Sequence, residues 1–220
     1  MKVGILFSGG KDSNLALYYA SKQHEIKCLI NLIPNSVESR LFHYPNSELV
    51  KLQAEALNLP LIQIKTGDEE KEQIKDLKKA LLKAKELYNI EGIVTGAVKS
   101  KYQLSRFQKV CDELNLQCIN PLWQKDEEEI INEILRLNFD VIITRLSFYP
   151  LNTKFLGEKI SKEFIEFLKQ NKVNITGEGG EYETFVLYQP LFKRRIKILQ
   201  AKKEIFENEA NYIVLEAVLE

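Results

Sequence analysis

Short hydrophobic runs typical of β-strands alternate with longer segments of helical periodicity over the first 145 residues of the chain. The strand-like runs are residues 2–7, 27–33, 61–65, 92–97, 117–120 and 140–144. Residues 70–88, 100–114 and 126–137 place apolar side chains three or four positions apart, which predicts amphipathic helices. Strands and helices that alternate in this way form a parallel sheet with both faces covered. The pattern therefore predicts an α/β fold on an open, mostly parallel sheet of five to six strands.

The pattern changes after residue 145. A helix predicted over about residues 161–170 is followed by a glycine-rich acidic segment and then by three β-type runs without a clear helix between them. These runs are residues 182–188, 195–201 and 212–219, which we interpret as a meander that closes over the ligand edge of the first sheet. The sequence thus predicts an α/β domain over residues 1–145 and a small α+β portion over residues 146–220.

Composition excludes several classes of protein. Hydrophobic residues make up 45% of the 220 residues, enough for a sizeable core, so the chain is not disordered. Lys and Arg together number 31, as do Asp and Glu, so no overall field attracts nucleic acid or an anionic membrane. No apolar run approaches the roughly 18 residues that cross a bilayer, and the N-terminal run becomes polar at Ser8, too soon for a signal peptide. We expect a cytoplasmic protein with no membrane association and no stable binding to nucleic acid.

The cysteines favour a reduced environment. Cys28, Cys111 and Cys118 are an odd number and show no C-x-x-C spacing. We interpret them as buried thiols, because neither a disulfide framework nor a zinc site fits that pattern.

The first predicted strand runs directly into residues 8–13 (SGGKDS), here called the glycine loop, and then into a helix. This is the carboxyl edge of the sheet, where open α/β sheets bind ligands. Gly9 and Gly10 let backbone N–H groups approach phosphate oxygens, and Lys11 adds a positive charge at a helix N-terminus. Asp12 follows Lys11, so the spacing is not that of the ordinary phosphate loop or of a dinucleotide fingerprint. The glycine loop predicts an oligophosphate site, with a purely structural strand-to-helix turn as the alternative.

Residues 177–184 (GEGGEYET), here called the acidic loop, carry three glycines and the carboxylates of Glu178, Glu181 and Glu183. A turn can direct these carboxylates into one pocket, where they would hold a cationic substrate or a metal, or act as a base. A solvated acidic loop explains the composition equally well.

The glycine loop resembles the SGGxDS loop of the N-type ATP pyrophosphatases, the PP-loop family, at every fixed position. Together with the acidic loop, it resembles the diphthine–ammonia ligase branch of that family. Further landmarks of that branch are residues 42–46 (FHYPN), 96–97, 102, 106, 121–123, 156–157 and 190–192.

The resemblance implies a sheet of the PP-loop (adenine nucleotide α-hydrolase-like) type, with nucleotide bound by residues 1–145 and substrate facing residues 146–220. It implies an ATP-dependent amide ligase that converts diphthine on translation elongation factor 2 to diphthamide. The reaction would use free ammonium, pass through an acyl adenylate, and release AMP and pyrophosphate. ATP and Mg²⁺ are the implied cosubstrate and cofactor, elongation factor 2 is the implied partner, and a homodimer is possible.

Site residues are carried over from the same resemblance. Lys11, Asp12 and Glu181 are the expected catalytic residues, and Asp12 is also the expected Mg²⁺ ligand. The expected nucleotide-binding residues are Ser8, Gly9, Gly10, Lys11, Asp12, Ser13, His43 and Gly96. The expected substrate-binding residues are Tyr102, Glu178, Gly179, Gly180, Glu181, Tyr182 and Glu183.

Three of these assignments carry a specific reason. Gly96 is expected to leave room for the adenine or ribose. His43 would contact the phosphates or the substrate carboxylate, unless it is a turn residue beside Pro45. Tyr182 or Trp123 would offer an aromatic face to the trimethylammonium group of diphthine, although a core position is the more usual one for such a tryptophan.

Two other functions are compatible with a PP-loop. One is an enzyme that modifies tRNA, and the other is a nucleotide-binding module without turnover. The basic stretch at residues 193–197 would either dock an acidic partner surface or be a solvated strand face.

Overall fold

The computed structural model describes residues 1–35, 46 and 49–220. The described residues form nine strands, six α-helices and one short 3₁₀ turn. In chain order they are β1 Lys2–Leu6, α1 Lys11–Ala20, β2 Glu25–Pro34, α2 Val50–Leu57, β3 Leu61–Thr66, α3 Glu70–Tyr88, β4 Gly92–Val94, α4 Lys101–Glu113, β5 Gln117–Ile119, α5 Glu127–Arg136, β6 Asp140–Leu146, the 3₁₀ turn Thr153–Phe155, α6 Lys162–Gln170, β7 Tyr182–Tyr188, β8 Ile196–Ile205 and β9 Ala210–Leu219.

The first sheet has five parallel strands in the order β3-β2-β1-β4-β5. The predicted α/β fold class is therefore confirmed. Strand β1 lies at the centre, and the strand order reverses between β1 and β4. In open α/β sheets, ligands bind at such a switch point, beyond the carboxyl ends of the strands. The glycine loop after β1 and residues 95–100 after β4 meet at this point.

The second sheet is antiparallel, with the order β7-β6-β9-β8. We expected the run at residues 140–144 to belong to the first sheet, but it forms β6, an interior strand of the second. Six of the seven residues of β6 are buried, so its sequence is a nearly continuous apolar run. A strand in a parallel sheet covered on both faces has the same kind of sequence, which is why the two could not be told apart. Because β6 separates β7 from β9, the last three strands do not form a simple meander. The predicted domain division at residue 145 falls inside β6 and stays a prediction.

Helix ends follow local sequence. Asp126, the N-cap of α5, accepts hydrogen bonds from the backbone nitrogens of Glu128 (2.8 Å) and Glu129 (3.2 Å), as the acidic segment predicted. Ser161 caps α6 in the same way. Helix α3 spans the predicted residues 70–88 and ends at Asn89 in the left-handed conformation that suits asparagine at this position.

The two sheets share one hydrophobic core. Val3, Ile5 and Leu29 of the first sheet pack in the same cluster as Ile142 and Phe185 of the second. A second cluster joins the other side chains of β1 and β2 to helices α3 and α4. The shared core places the second sheet beside the carboxyl edge of the first, so the acidic loop, which leads into β7, lies over the glycine loop.

Candidate active site

One cavity of about 710 Å³ opens at the switch point of the first sheet. Its walls include most of the glycine loop, residues 95–97 after β4, the end of β6 and all eight residues of the acidic loop. The volume lies within the range of small-molecule sites. The structure thus brings together two motifs that are more than 160 residues apart in the sequence.

The backbone of the glycine loop is held against the second sheet. The Gly9 carbonyl accepts hydrogen bonds from Gln53 Nε2 (2.9 Å) and from the backbone nitrogen of Val186 in β7 (3.1 Å). Gly9 has a φ of +86°, and a Cβ there would lie 2.7 Å from Gln53 Oε1. Only glycine meets both conditions without strain. Gly10 is the N-cap of α1 and provides no side-chain hydrogen bond to the first turn. Gly10 and the first residues of α1 line the cavity, so the N-terminus of this helix lies at the cavity wall.

Two serines complete the glycine loop. Ser8 Oγ accepts from the Gly10 nitrogen at 3.3 Å and lies 3.2 Å from Ser13 Oγ. Ser13 Oγ also donates to the Gly10 carbonyl at 3.1 Å. Both hydroxyls are therefore oriented by the loop itself and line the cavity beside Gly10.

Lys11 is 3% exposed and contacts Thr176, which precedes the acidic loop, and Thr184, the last residue of that loop. Its ammonium group donates to the backbone carbonyl of Thr176 and to Asp12 Oδ2, the latter at 2.8 Å. Its backbone nitrogen donates to Thr184 Oγ1 at 3.1 Å. The ammonium nitrogen also lies 5.3 Å from the centre of the Tyr182 ring. A single residue of the glycine loop thus connects it to the second sheet.

Burial is the largest influence on Lys11 and by itself lowers the pKa of the side chain. The attraction of Asp12, Tyr182 and Glu178 together outweighs burial, so the pKa is raised above its ordinary value of 10.5. Lys11 is therefore charged at neutral pH and supplies a full positive charge inside the cavity.

Asp12 has one carboxylate oxygen paired with Lys11, whereas the other, Oδ1, is buried without a hydrogen-bond partner. A buried, unpartnered carboxylate oxygen is costly unless a ligand satisfies it. Among the described residues, no three His, Cys, Asp or Glu side chains gather into a metal-binding group. Magnesium in nucleotide sites is commonly held by one or two carboxylates together with phosphates, so Asp12 fits the expected ion.

The three carboxylates of the acidic loop have different contacts. Glu178 accepts from the backbone nitrogens of Val98 (3.2 Å) and Lys99 (3.1 Å), which closes the acidic loop onto the loop after β4. Glu181 Oε2 accepts from the nitrogen of Gly179 at 2.8 Å, within the loop. Glu183 Oε1 lies 3.7 Å from Arg145 Nη1. All three line the cavity, and so do Gly179 and Gly180, the latter with a φ of +82°.

Tyr182 lies deeper than its neighbours and is 3% exposed. Its hydroxyl donates to the Ile175 carbonyl at 2.7 Å, and its ring packs edge-on against Phe164. Burial raises the pKa of the phenol to about 12. The ring therefore supports the acidic loop and faces Lys11, while its predicted contact with substrate stays a prediction. Trp123 does not line the cavity.

Gly96 lines the cavity, and its lack of a side chain also affects how the neighbouring loops pack. A Cβ on Gly96 would lie 2.8 Å from the Ser13 nitrogen and 2.9 Å from the Asp12 carbonyl carbon. The absence of a side chain thus lets the loop after β4 pack on the first turn of α1. Its predicted contact with nucleotide stays a prediction.

An apolar part of the cavity wall is formed by Leu6, Ile30, Leu32 and Phe107. Three of these belong to β1 and β2, so this part lies near the second strand.

Tyr102, at the start of α4, also lines the cavity. Its hydroxyl donates to Glu70 Oε2, and the Arg106 guanidinium carbon lies 3.8 Å from the centre of its ring. The ring is thus held between α3 and α4. His43 lies outside the described residues.

Sequence reasoning missed Arg145, Ser147, Thr176 and Thr184, all of which line the cavity. The signal for Arg145 was present, since a single charge ends the apolar run VIIT. Thr176 precedes the acidic loop, and Thr184 is its last residue. Both contact Lys11, which is distant in sequence, so only the tertiary structure reveals these contacts.

The basic stretch at residues 193–197 is largely paired. Arg194 bonds to Glu55, Arg195 to Asp140, and Lys197 to Glu220 at 3.0 Å. These pairs lower its positive potential, which weakens its interpretation as a docking surface.

A parallel sheet with an SGGKDS loop and a cavity at its switch point defines a nucleotide-binding α/β protein of the PP-loop class. Residues 1–118 match the family described as the diphthamide synthase N-terminal domain, and residues 126–219 match the diphthamide synthase C-terminal domain. The chain belongs to the diphthamide synthase family, whose relatives below are called diphthine–ammonia ligases.

Relatives that align with nearly all of this chain support the same family. The chain is 35% identical to the diphthine–ammonia ligase of Rattus norvegicus over 96% of this chain and 87% of that protein. It is 34% identical to the human enzyme of that name, with the same coverage. It is 33% identical to the Schizosaccharomyces pombe diphthine–ammonia ligase over 97% of this chain, but it spans only 38% of that longer protein.

Among solved structures, the chain resembles a predicted subunit of tRNA methyltransferase from Methanocaldococcus jannaschii. The TM-score is 0.49 at 18% identity, covering 86% of this chain and 98% of that one. Among the described residues, no helix has the length and apolar character to span a membrane.

Proposed function

We propose that this protein is an ATP-dependent diphthine–ammonia ligase that forms the amide of diphthamide on translation elongation factor 2. The observation that carries the proposal is that the glycine loop and the acidic loop line one cavity and are joined through Lys11. Family membership supplies the reaction class, and this cavity supplies a site in which nucleotide and a modified side chain can meet.

In the first step, a carboxylate oxygen of diphthine attacks the α-phosphorus of ATP. The bond between that phosphorus and the oxygen bridging to the β-phosphate breaks, and pyrophosphate leaves. Negative charge grows on both phosphate groups during this step. The backbone amides of Gly9 and Gly10, the hydroxyls of Ser8 and Ser13, and the ammonium of Lys11 are our candidates to stabilise that charge.

In the second step, ammonia attacks the carbonyl carbon of the acyl adenylate, and AMP leaves with the former carboxylate oxygen. The nitrogen must lose a proton as the amide forms. Glu181 is our candidate base, because it lies in the acidic loop at the cavity wall. Free ammonium is the proposed nitrogen source, and it gives up a proton to solvent to form the ammonia that attacks.

Asp12 is the proposed contact for Mg²⁺, through its unpartnered Oδ1 atom. When bound, the ion would offset phosphate charge beside Lys11. Adenine is proposed to lie against the apolar wall formed by Leu6, Ile30, Leu32 and Phe107. We propose a cytoplasmic location because the protein substrate acts in translation.

A tRNA-modifying PP-loop enzyme is the less favoured function. No cysteine belongs to the described lining of the cavity, although such an enzyme would need catalytic thiols or an added RNA-binding domain. The pairing of the basic stretch also lowers the positive potential that contact with RNA would need.

The test incubates the protein with ATP, Mg²⁺, ammonium and elongation factor 2 that carries diphthine. We expect the factor to lose about one mass unit, as hydroxyl is replaced by amide, with AMP as the nucleotide product. Omitting ammonium should abolish the mass change. Asp12→Asn should raise the Mg²⁺ concentration needed for half-maximal rate. AMP formation without a change in the factor would reject diphthine as the substrate.

A further inference from the structure

Arg145 lies near the end of β6, with 13% of its side chain exposed and part of it in the cavity wall. Lys11 and Arg145 are the two cationic residues in the described lining of the cavity. Lys11 belongs to the glycine loop, where phosphate is expected. Arg145 belongs to the strand beside the acidic loop, so it is available to a different anionic group.

The guanidinium of Arg145 is anchored on one side. Its Nη2 atom donates to Glu209 Oε2 at 2.7 Å and lies 3.5 Å from Ser147 Oγ. Its Nη1 atom lies 3.7 Å from Glu183 Oε1, which is beyond hydrogen-bond distance. Its Nε atom is buried without a hydrogen-bond partner. Arg145 Nη1 and Glu183 Oε1 thus attract each other in the cavity wall, but the distance between these two atoms is too long for a hydrogen bond.

We infer that Arg145 and Glu183 form a paired-charge subsite for the zwitterionic end of diphthine, with Arg145 binding the carboxylate to be adenylated and Glu183 facing the trimethylammonium group. This inference rests on the proposed function and assigns Arg145 a role in choosing the substrate. A guanidinium suits the carboxylate because an ionised donor and an ionised acceptor form a charge-assisted hydrogen bond, and Nη1 is the atom on the side away from the Glu209 contact.

The neighbouring charges make the subsite selective. A carboxylate alone would approach Arg145 against the repulsion of Glu183 and Glu209. In a zwitterion this repulsion is offset, because the cationic group is attracted to Glu183 while the carboxylate is attracted to Arg145. A trimethylammonium group alone would gain the first attraction and meet the repulsion of Arg145. The subsite should therefore prefer a molecule that carries both charges.

The reaction itself changes the charge that Arg145 contacts. The substrate carboxylate is negative, whereas the product amide is neutral. The amide loses the charge-assisted hydrogen bonds with the guanidinium, which are the stronger kind. Arg145 should thus bind substrate more tightly than product and favour product release.

The test measures binding of three small probes by calorimetry: 2-(trimethylammonio)butanoate, its primary amide, and butyltrimethylammonium. We expect the wild-type protein to bind the acid about tenfold more tightly than the amide or the simple ammonium. Equal affinity for acid and amide in the wild-type protein would overturn the inference without any variant.

Arg145→Gln should bind acid and amide equally, and Arg145→Lys should keep part of the preference because it keeps the charge. Glu183→Gln should weaken all three probes. Retention of the full acid preference in Arg145→Gln would also overturn the inference.

Arg195→Gln is the matched control, since Arg195 pairs with Asp140 of the same strand β6 but does not line the cavity. It should leave the binding of every probe unchanged. Thermal unfolding and ATP binding report whether each variant is folded.

Turnover on elongation factor 2 separates this inference from the proposed function. A wild-type protein that amidates the factor but shows no acid preference would refute only the role of Arg145. A protein that shows the acid preference but does not amidate the factor would refute the ligase function instead.

Discussion

Lys11 and Thr176 are 165 positions apart in the sequence, yet the ammonium group of Lys11 donates a hydrogen bond to the backbone carbonyl of Thr176. The backbone nitrogen of Lys11 donates to the side chain of Thr184 at the other end of the acidic loop. Bound phosphate would draw the Lys11 ammonium toward itself, away from Thr176. Nucleotide binding and the position of the acidic loop should therefore be coupled.

Replacing Lys11 removes the charge that faces the phosphates. We expect Lys11→Met to slow AMP formation by about a hundredfold or more, since a preorganised charge at the reacting phosphate typically supplies that much. Lys51→Met is the control, because Lys51 is exposed on α2, away from the cavity lining. Pyrophosphate release measures the rate, and a change of less than about threefold would contradict the role of Lys11.

Removing the side chain of Glu178 should open the contact between the acidic loop and the loop after β4. In Glu178→Ala the backbone nitrogens of Val98 and Lys99 lose their acceptors, which costs about 1 kcal/mol or more. Hydrogen exchange at these two amides should become about tenfold faster. Glu181→Ala should leave both rates unchanged, because Glu181 bonds within the acidic loop. If the two variants behave alike, Glu178 does not hold the loops together.

A methyl group at Gly96 should displace the glycine loop. The added Cβ in Gly96→Ala would meet backbone atoms of Asp12 and Ser13 at 2.8–2.9 Å, and backbone cannot rotate away as a side chain can. We expect a loss of about 1–3 kcal/mol in the free energy of unfolding and weaker ATP binding. Urea denaturation and calorimetry measure the two effects. Unchanged stability would show that the loop after β4 has room to move.

Alkaline pH should destabilise the fold through Tyr182 and Lys11. The pKa of Tyr182 is raised from 10 to about 12, chiefly by burial, and that of Lys11 is raised as well. Both groups hold their protons more tightly in the folded state, so above about pH 10 the unfolded chain loses them first and stability falls. Below about pH 9 neither group contributes to the pH dependence.

Between about pH 10 and pH 11, Tyr182 alone should lower the free energy of unfolding by about 1 kcal/mol. Tyr182→Phe should be less stable at neutral pH, because the hydrogen bond to the Ile175 carbonyl is lost. Its stability should nevertheless fall less steeply above pH 10. Parallel curves for the two proteins in urea denaturation would contradict the raised pKa.

The sequence alone determined the five strands of the first sheet, most of the helices and the position of the glycine loop, because each is encoded within a short stretch of chain. Alternating apolar runs predict parallel strands, and SGGKDS between a strand and a helix predicts an anion-binding turn. The carboxylates of the acidic loop could also be recognised from the composition of that segment. The resemblance to a known family indicated that the glycine loop and the acidic loop belong to one site.

Only the tertiary structure decided where strand β6 belongs and what the individual site residues contact. An apolar strand has no local feature that selects its sheet, so β6 joined β7 through pairs such as Ile142 and Phe185. Because β6 belongs to the second sheet, Arg145 near its end lies in the cavity wall. Glu178 and Gly96 likewise acquired their roles from chain segments distant in sequence, because burial and hydrogen bonding depend on neighbours that only folding supplies.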